Sequence, residues 1–241
     1  HFRPKGGSTQ TFIRSCSFSR LGDFEQCKYR AKLKYLDKIP EPERPLPPGK
    51  TEHANDRGTR IHDAAERYVR GGIELIPELH GFRPEFEKLK ADFAAGKVSL
   101  EGEWGMNRQW EPVAWGSSDV WFRLKLDALV FLSKTEAVVI DYKTGRRYGN
   151  EVKHAEQTQL YQLVTFLRYP KLETIHTELW YPDVDELHSA TYKRPQGLRF
   201  RRGFDVRGNA LTTCTEFPAN PNIFSCRWCP YKDTEHCTKG V

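Results

Sequence analysis

The chain has 241 residues, of which 38% are hydrophobic and 29% are charged. This length suits one sizeable α/β domain with appendages or two small domains, and the composition excludes a chain that is disordered throughout. No run of roughly eighteen apolar residues is present, which excludes a membrane-spanning helix. The net charge of +6 suits a phosphate-rich partner, but an ordinary basic protein has the same balance.

Three helices are predicted in the first part of the chain by capping residues and by apolar residues that recur three and four positions apart. The first helix begins at Ser17, the second extends from Gly58 to about Arg70, and the third extends from Glu85 to Ala95. Five prolines between Pro40 and Pro48 exclude a helix or a central strand there, so we expect a loop. Residues 1–10 are polar and lack the apolar stretch of a secretory signal.

Beyond Gly96 the pattern changes to apolar runs rich in β-branched and aromatic residues, which predict strands. The predicted strands are Leu100–Trp110, Ser118–Phe131, Ala137–Tyr142 and Thr174–Tyr181. A helix over Glu151–Arg168, with apolar residues on one face, separates the last two. This order predicts an α/β fold, in which a central mixed β-sheet of about four to five strands is flanked by helices and followed by a cysteine-bearing C-terminal tail.

An acid and an amine lie at the end of a strongly apolar predicted strand. Val138, Val139 and Ile140 are followed by Asp141 and, two residues later, by Lys143. Because side chains alternate along a strand, Asp141 and Lys143 project from the same face. A carboxylate can hold a hard cation, and a lysine can orient the attacking water and offset charge on a phosphate. The pair therefore suits phosphodiester hydrolysis.

Asp127 is an isolated acid in the preceding predicted strand. If the two strands form a hairpin, Asp127 lies beside Asp141. Two carboxylates at such a short distance repel each other unless they share a cation. Taken alone, Asp127 has an alternative interpretation as a hydrogen-bonded acid at a strand end. Because Asp127 lies one hairpin before Asp141 in the sequence, a cation site shared by the two acids is the favoured interpretation.

Asp127 followed by Asp141-Tyr-Lys143 resembles the D…(D/E)-x-K core of PD-(D/E)XK nucleases. The similarity extends to the RecB-like branch of that superfamily through further segments that occur in the expected order. They are Ser17-Phe-Ser-Arg-Leu, Cys27-Lys-Tyr-Arg30, Gly58-Thr-Arg-Ile-His62 and Gln157-Thr-Gln-Leu-Tyr161. The match is spread over nearly the whole chain.

The resemblance implies a restriction-endonuclease-like core with a divalent metal centre. The implied ligands of Mg²⁺ or Mn²⁺ are His62, Asp127, Asp141 and the Tyr142 carbonyl. The implied catalytic set is Asp127, Asp141, Lys143, Gln157 and Tyr161. Alternatives remain for some of them, because a lone histidine on a helix is more often structural and Gln157 and Tyr161 can simply cap a sheet.

Three of the six cysteines, Cys226, Cys229 and Cys237, lie close together in the tail. In a reducing cytoplasm, clustered cysteines indicate a metal rather than a disulfide, and three thiolates with a distant fourth can hold zinc or an iron–sulfur cluster. In the iron–sulfur members of the RecB-like branch the fourth cysteine lies upstream of the histidine, so the resemblance implies a [4Fe–4S] cluster that includes Cys27. Zinc is the alternative.

Two segments are rich in basic residues. The first contains Lys28, Arg30, Lys32 and Lys34, and the second contains Arg194, Arg199, Arg201, Arg202 and Arg207. Such clusters favour contacts with backbone phosphates, although a run of charges is usually only a solvated face.

The resemblance implies a Mg²⁺- or Mn²⁺-dependent DNA exonuclease that acts on DNA ends or single strands in recombination, repair or phage replication. The alternatives are a CRISPR-adaptation nuclease, a non-catalytic DNA-binding module of the same fold, and a zinc-stabilised protein-interaction domain. DNA is the expected partner, a helicase or recombination protein is a further candidate, and no membrane is expected. The expected location is the bacterial cytoplasm, or the host cytoplasm for a phage protein.

The expected organisation is a single nuclease domain over residues 1–241. It would consist of a helical part (11–95), a catalytic core (96–185) and a basic, cysteine-rich tail (186–241).

Overall fold

A computed structural model describes residues 11–145 and 147–241, without the side chain of Glu101. The expectation that residues 1–10 lack a secretory signal concerns a segment outside the described residues. The described residues form two compact units, of which one comprises 11–44 with 205–241 and the other comprises 45–204. Each unit is described by itself below, and the single nuclease domain stays a prediction.

Eight α-helices occur within the described residues. They are α1 (Phe18–Gln26), α2 (Lys28–Ala31), α3 (Ala54–Val69), α4 (Arg83–Ala94), α5 (Glu151–Arg168), α6 (Arg194–Leu198), α7 (Arg201–Thr212) and α8 (Ile223–Cys226). A π-helical turn over Lys32–Leu36 follows α2, and a 3₁₀ helix over Pro77–Phe82 precedes α4. The predicted cap of the first helix is confirmed, because the Ser17 hydroxyl accepts a hydrogen bond from Arg20 N at 3.3 Å. No helix in the described part of the chain has both the length and the apolar character needed to cross a membrane.

Six strands form one sheet in the second unit. They are β1 (Val98–Met106), β2 (Pro112–Val113), β3 (Phe122–Phe131), β4 (Glu136–Tyr142), β5 (Thr174–Tyr181) and β6 (Glu186–Lys193), in the order β2-β1-β3-β4-β5-β6. The β4–β5 pair is parallel and the other pairs are antiparallel. Helix α5 supplies the crossover that a parallel pair requires. The predicted mixed sheet with flanking helices is confirmed.

The predicted count of four to five strands was too low, and two strand boundaries were wrong. The edge strand β6 is almost wholly exposed, so its sequence lacks the alternation that marks a half-buried strand. The prediction carried β1 on to Trp110, but that residue has a φ of 65°, and the Asn107 side chain accepts hydrogen bonds from two nearby backbone amides, as in a turn. Strand β3 begins at Phe122 instead of Ser118, because a turn precedes it, in which Asp119 N donates to the Ser117 hydroxyl.

The sheet of the second unit separates two layers of helices. Apolar side chains of α3 and α4 pack on the face that carries Ala128, Val130, Ile140 and Tyr142. Residues that alternate with these along β3 and β4, including Asp127 and Asp141, project from the opposite face. Helix α5 packs on that opposite face, where Gln157 reaches Lys143. Both layers therefore approach Asp127, in the middle of β3, and Asp141, near the end of β4.

The tail and the N-terminal segment form the other unit through long-range contacts. The buried Tyr231 donates its hydroxyl hydrogen to Ile39 O at 2.8 Å, and Tyr29 donates to His236 O at 3.0 Å. Helix α7 was not predicted, because Gly203 and Gly208 lower its helix propensity. Leu211 of α7 is fully buried.

Candidate active site

Asp127 and Asp141 face each other across the β3–β4 hairpin. The register pairs Ala128 with Ile140, so one step further along the antiparallel ladder Asp127 lies opposite Asp141. Both carboxylates are buried, at 8% and 4% exposure. Facing, buried carboxylates repel each other unless a proton or a cation offsets their charge. The structure thus brings together the two acids that the sequence predicted as neighbours.

The two oxygens of Asp127 have separate hydrogen-bond partners. Oδ2 accepts from the backbone amide of Tyr142 at 2.6 Å, and Oδ1 lies 2.9 Å from Nδ1 of His62. His62 belongs to α3, which packs on the opposite face of the sheet, so both helical layers contribute to the site. Burial by itself lowers the pKa of His62, but the hydrogen bond and the charge of Asp127 outweigh it and raise the pKa above its usual value.

Asp141 and Lys143 form a buried ion pair. Lys143 Nζ lies 2.5 Å from Asp141 Oδ2, yet no hydrogen bond of suitable geometry reaches that buried oxygen. Burial raises the pKa of Asp141 to about 6, the charge of Lys143 opposes the rise, and the charge of Asp127 adds to it. The Lys143 ammonium offsets only part of the cost of burying this carboxylate, so a further cation in the same cavity would stabilise its charged form.

Gln157 and Tyr161 hold the lysine. Nζ of Lys143 donates to Gln157 Oε1 at 2.7 Å, and Gln157 Nε2 donates to the Tyr161 hydroxyl at 2.6 Å. Four residues of separation place Gln157 and Tyr161 one above the other on α5. The structure therefore gives this pair a contact with the predicted lysine, beyond the capping of a sheet.

One open cavity of about 800 Å³ brings together the predicted side chains of the acidic centre, and Tyr142 lies outside its lining. Its walls include His62, Asp127, Asp141, Lys143, Gln157 and Tyr161. Lys125, which also lies on a wall, pairs with Glu103 at 2.8 Å. Glu66, one turn after His62 on α3, pairs with Arg70 at 2.7 Å. The two acids are engaged by basic side chains.

A clamp that was not predicted from the sequence joins α3 to the loop that follows Lys143. Arg57 donates to both oxygens of Asp183, at 2.8 and 2.6 Å, and the same carboxylate accepts from the Gly145 amide at 2.6 Å. A Cβ at Gly58 would lie 3.2 Å from Thr144 Oγ1, so glycine permits this close approach. Arg57 stands directly before the Gly58–His62 motif, which was a usable signal, whereas Asp183 lies in a turn with no motif.

Several residues of the basic clusters have structural partners. Arg194 donates to the carbonyls of Leu172 and Phe166, at 2.8 and 2.9 Å, close to the end of α5. In the other unit, Arg30 pairs with Asp23 at 2.9 Å and Arg207 pairs with Glu25 at 2.6 Å. These guanidinium groups are engaged within the chain, which weakens the expectation that they hold phosphates.

The four predicted cluster cysteines line one cavity of the other unit. Cys27, Cys226, Cys229 and Cys237 border a space of about 390 Å³, and the backbone amide of Asn220 lies 3.5 Å from Cys27 Sγ. Burial raises the pKa of the Cys229 thiol. All four side chains are half-buried. Cys16 and Cys214 lie outside this lining.

Within residues 11–145 and 147–241, no group of three or more His, Cys, Asp or Glu side chains is arranged as it would be around a metal ion. The donor chemistry still fits a hard divalent cation at the acidic centre, because carboxylate oxygens converge on one cavity and Asp141 Oδ2 receives no suitable hydrogen bond. The four thiols of the other cavity suit a softer metal. The metals themselves remain predictions.

Comparison with known protein families gives a match over most of the chain. The family model described as the PD-(D/E)XK nuclease superfamily matches residues 15–234. No curated protein matches the sequence. Among solved structures, the protein SSO0001 is similar at 12% identity and a TM-score of 0.40, over 100% of this chain and 90% of that one. An alkaline exonuclease from Laribacter hongkongensis is similar at 11% identity and a TM-score of 0.33, over 83% of this chain and 86% of that one. At these scores the two structures support no conclusion about this chain.

Proposed function

Because this chain belongs to the PD-(D/E)XK nuclease superfamily, we propose that it is a Mg²⁺- or Mn²⁺-dependent deoxyribonuclease. In this proposal it hydrolyses phosphodiester bonds as an exonuclease, at DNA ends or on single strands. Recombination, repair and phage replication are the processes that such an activity serves.

The observation that carries the proposal is the joint placement of Asp127, Asp141 and Lys143 in one cavity. A buried acid pair alone fits many structural roles, and a buried lysine alone fits as many. Two carboxylates with an amine 2.5 Å from one of them suit a site for a cation beside a phosphate. A non-catalytic DNA-binding module would gain nothing from this costly burial of charge.

The residues that would hold the metal are His62, Asp127, Asp141 and the carbonyl of Tyr142. A bound divalent cation supplies charge compensation for the phosphate and a lower pKa for the attacking water. His62 must lose the proton that its raised pKa favours before its nitrogen can act as a ligand. Metal binding at this site should therefore release a proton and weaken as the pH falls.

Lys143 would act directly on the substrate. Its ammonium group can donate to a phosphate oxygen and orient the attacking water, while Gln157 fixes its position through the 2.7 Å hydrogen bond. Tyr161 holds the other end of the Gln157 amide, so that the amide oxygen faces the lysine. In this proposal Lys143 is a catalytic residue, and Gln157 and Tyr161 position it.

For the other unit we propose a [4Fe–4S] cluster on Cys27, Cys226, Cys229 and Cys237, with zinc as the alternative. Support comes from the shared cavity, which gathers the three tail thiols and the N-terminal one. A link between segments about two hundred residues apart would restrict the unfolded chain strongly. The role would be structural, with no part in hydrolysis.

DNA is the proposed partner, and a cytoplasmic location in a bacterium or in a phage-infected host belongs to the same proposal. A helicase or recombination protein remains a candidate partner on the resemblance alone. The CRISPR-adaptation nuclease also remains an alternative within the superfamily, because its substrate is DNA as well.

The proposal is tested by incubating purified protein with end-labelled single-stranded and double-stranded DNA in Mg²⁺, Mn²⁺ or EDTA. We expect metal-dependent shortening of the labelled strands from an end, with little dependence on sequence. Internal cuts at one short duplex sequence would instead indicate a restriction-type enzyme. Intact DNA under all metal conditions would contradict the nuclease proposal.

A further inference from the structure

A second cavity opens on the same face of the sheet as the acidic centre. It is an open groove of about 550 Å³ between α5 and the β5–β6 pair, with Leu179 and Tyr181 among its lining residues. The parallel register pairs Asp141 with Leu179, and the ladder continues as Lys143 N donates to Trp180 O at 2.8 Å. Tyr181 is therefore the strand neighbour of Lys143. The groove continues directly from the candidate active site.

Helix α5 lies between the two cavities. Gln157 and Tyr161 line the acidic centre, whereas Ala155 and Thr158 line the groove. His154, at the same end of the helix, bonds to the Tyr181 hydroxyl at 2.9 Å. Its burial, together with the charges of nearby lysines, lowers its pKa to about 4, so the imidazole is neutral at physiological pH.

The described residues that wall the groove include three aromatic rings and one cation. The exposed ring of His188 lies edge-on to Tyr181, with centroids 5.7 Å apart, and half-buried Tyr192 lies four residues beyond His188 on β6. Among the described lining residues, Arg147 is the cation, and it is paired with Glu186. The lining also includes the carboxylate of Glu151.

This charge distribution favours a nucleobase over a phosphate as the part of a nucleotide that binds in the groove. A phosphate would meet an already neutralised arginine and the Glu151 carboxylate, so it is disfavoured. A nucleobase is uncharged and stacks on aromatic rings, which the groove provides in Tyr181, His188 and Tyr192. Exposed Tyr148, whose ring lies 5.4 Å from the Arg147 guanidinium carbon, adds a further aromatic surface at the rim.

We propose that this groove accepts an unpaired nucleobase next to the scissile phosphodiester of single-stranded DNA. The inference rests on the proposed nuclease function and extends it by naming a base-binding subsite. Such a subsite would hold the strand in register with Lys143 and would favour unpaired over paired substrates, since a paired base cannot leave its stack without cost.

Abasic scanning tests the groove. A series of 5′-labelled single-stranded oligonucleotides, each with one abasic site at a successive position, is cleaved in Mg²⁺, and the rate at each bond is measured. The wild type should lose about tenfold in rate at bonds that lie at one fixed offset from the abasic site. Tyr192→Leu and His188→Ala should lose about tenfold on intact DNA and show no further loss at that offset.

Controls separate the possible failures. Val152→Ala, an exposed position of α5 that lines neither cavity, should behave as the wild type. If Tyr192→Leu fails to fold, His188→Ala decides alone, because His188 is exposed. A wild type that cuts DNA without an offset penalty, or a His188→Ala variant that keeps the full penalty, would overturn the groove alone. A wild type that cuts no DNA would overturn the proposed function and the groove with it.

Discussion

The acidic centre and the cysteine cavity differ in how firmly the surrounding chain fixes them. Asp127 and Asp141 project from neighbouring core strands, and each has close polar partners. The four cysteines instead lie near short helices and turns, half-buried, around a cavity. A site on core strands is assembled by the fold itself, whereas a site on loops depends on its ligand for order. We therefore expect changes at the first to affect chemistry and changes at the second to affect stability.

The largest effect should follow from removing a carboxylate charge. Asp127→Asn or Asp141→Asn should lower the rate of metal-dependent DNA cleavage by about a thousandfold, because the cation loses a charged ligand. DNA binding measured in EDTA should change little. Glu103→Gln, an exposed acid on the adjacent strand β1, is the matched control and should retain the wild-type rate. If Glu103→Gln loses as much cleavage activity as the two aspartate variants, Asp127 and Asp141 have no special role in catalysis.

Next in size are changes at Lys143 and His62, which should separate chemistry from metal binding. Lys143→Ala should lower turnover by about a hundredfold at saturating metal, because the amine acts on phosphate and water. His62→Ala should raise the Mn²⁺ concentration needed for half-maximal rate, and excess Mn²⁺ should partly restore cleavage. A metal titration of both variants checks this, and an unchanged titration curve for His62→Ala would return that histidine to a structural role.

A smaller effect should follow from breaking the clamp between α3 and the loop that follows Lys143. Asp183→Ala removes the acceptor shared by Arg57 and the Gly145 amide, so His62 and Lys143 should lose their fixed spacing and kcat should fall about tenfold with little change in KM. Glu52→Gln also removes an ion pair to α3, at Arg60, without touching the loop. If both variants lose activity equally, the clamp has no special role.

The cysteine cavity should respond in stability more than in rate. Cys229→Ser should release the bound metal, remove any absorbance near 400 nm and lower the unfolding temperature by about 5 °C or more. Cys214→Ser, outside the cavity, should do neither. Colourless wild-type protein with one zinc per chain would replace the cluster by zinc, and protein without metal would contradict both assignments.

The smallest effect should be a pH dependence of stability from His154. Its folded pKa of about 4 lies below the ordinary 6.5, so the unfolded chain binds this proton more readily. The stabilisation is complete above pH 6.5 and is lost as the pH falls towards 4. Urea unfolding of His154→Gln should therefore show a shallower loss of stability than the wild type between pH 6.5 and 4. If the free energy of unfolding depends on pH in the same way in both proteins, His154 does not contribute to this pH dependence.

The two regions also differ in how well the sequence predicted them. Asp127, Asp141 and Lys143 were predicted as neighbours because strand alternation and a hairpin are local rules. Helix α5 was predicted to the residue, because an apolar stripe marks it. The Arg57–Asp183 clamp could not be predicted, since it joins residues 126 positions apart without a motif. Strand β6 was missed because its exposed residues show no alternation, and helix α7 was missed because its two glycines weaken the local helix signal.

One measurement tests the central claim most directly, which is that the strand-borne acids perform the chemistry and the cysteines only support the fold. Cleavage of an end-labelled single strand in Mn²⁺ is compared for wild type, Asp141→Asn and Cys229→Ser, at a temperature where circular dichroism shows all three folded. The account predicts that Cys229→Ser cuts within about threefold of the wild-type rate while Asp141→Asn is about a thousandfold slower. Undiminished cleavage by folded Asp141→Asn, or loss of cleavage in folded Cys229→Ser, would contradict it.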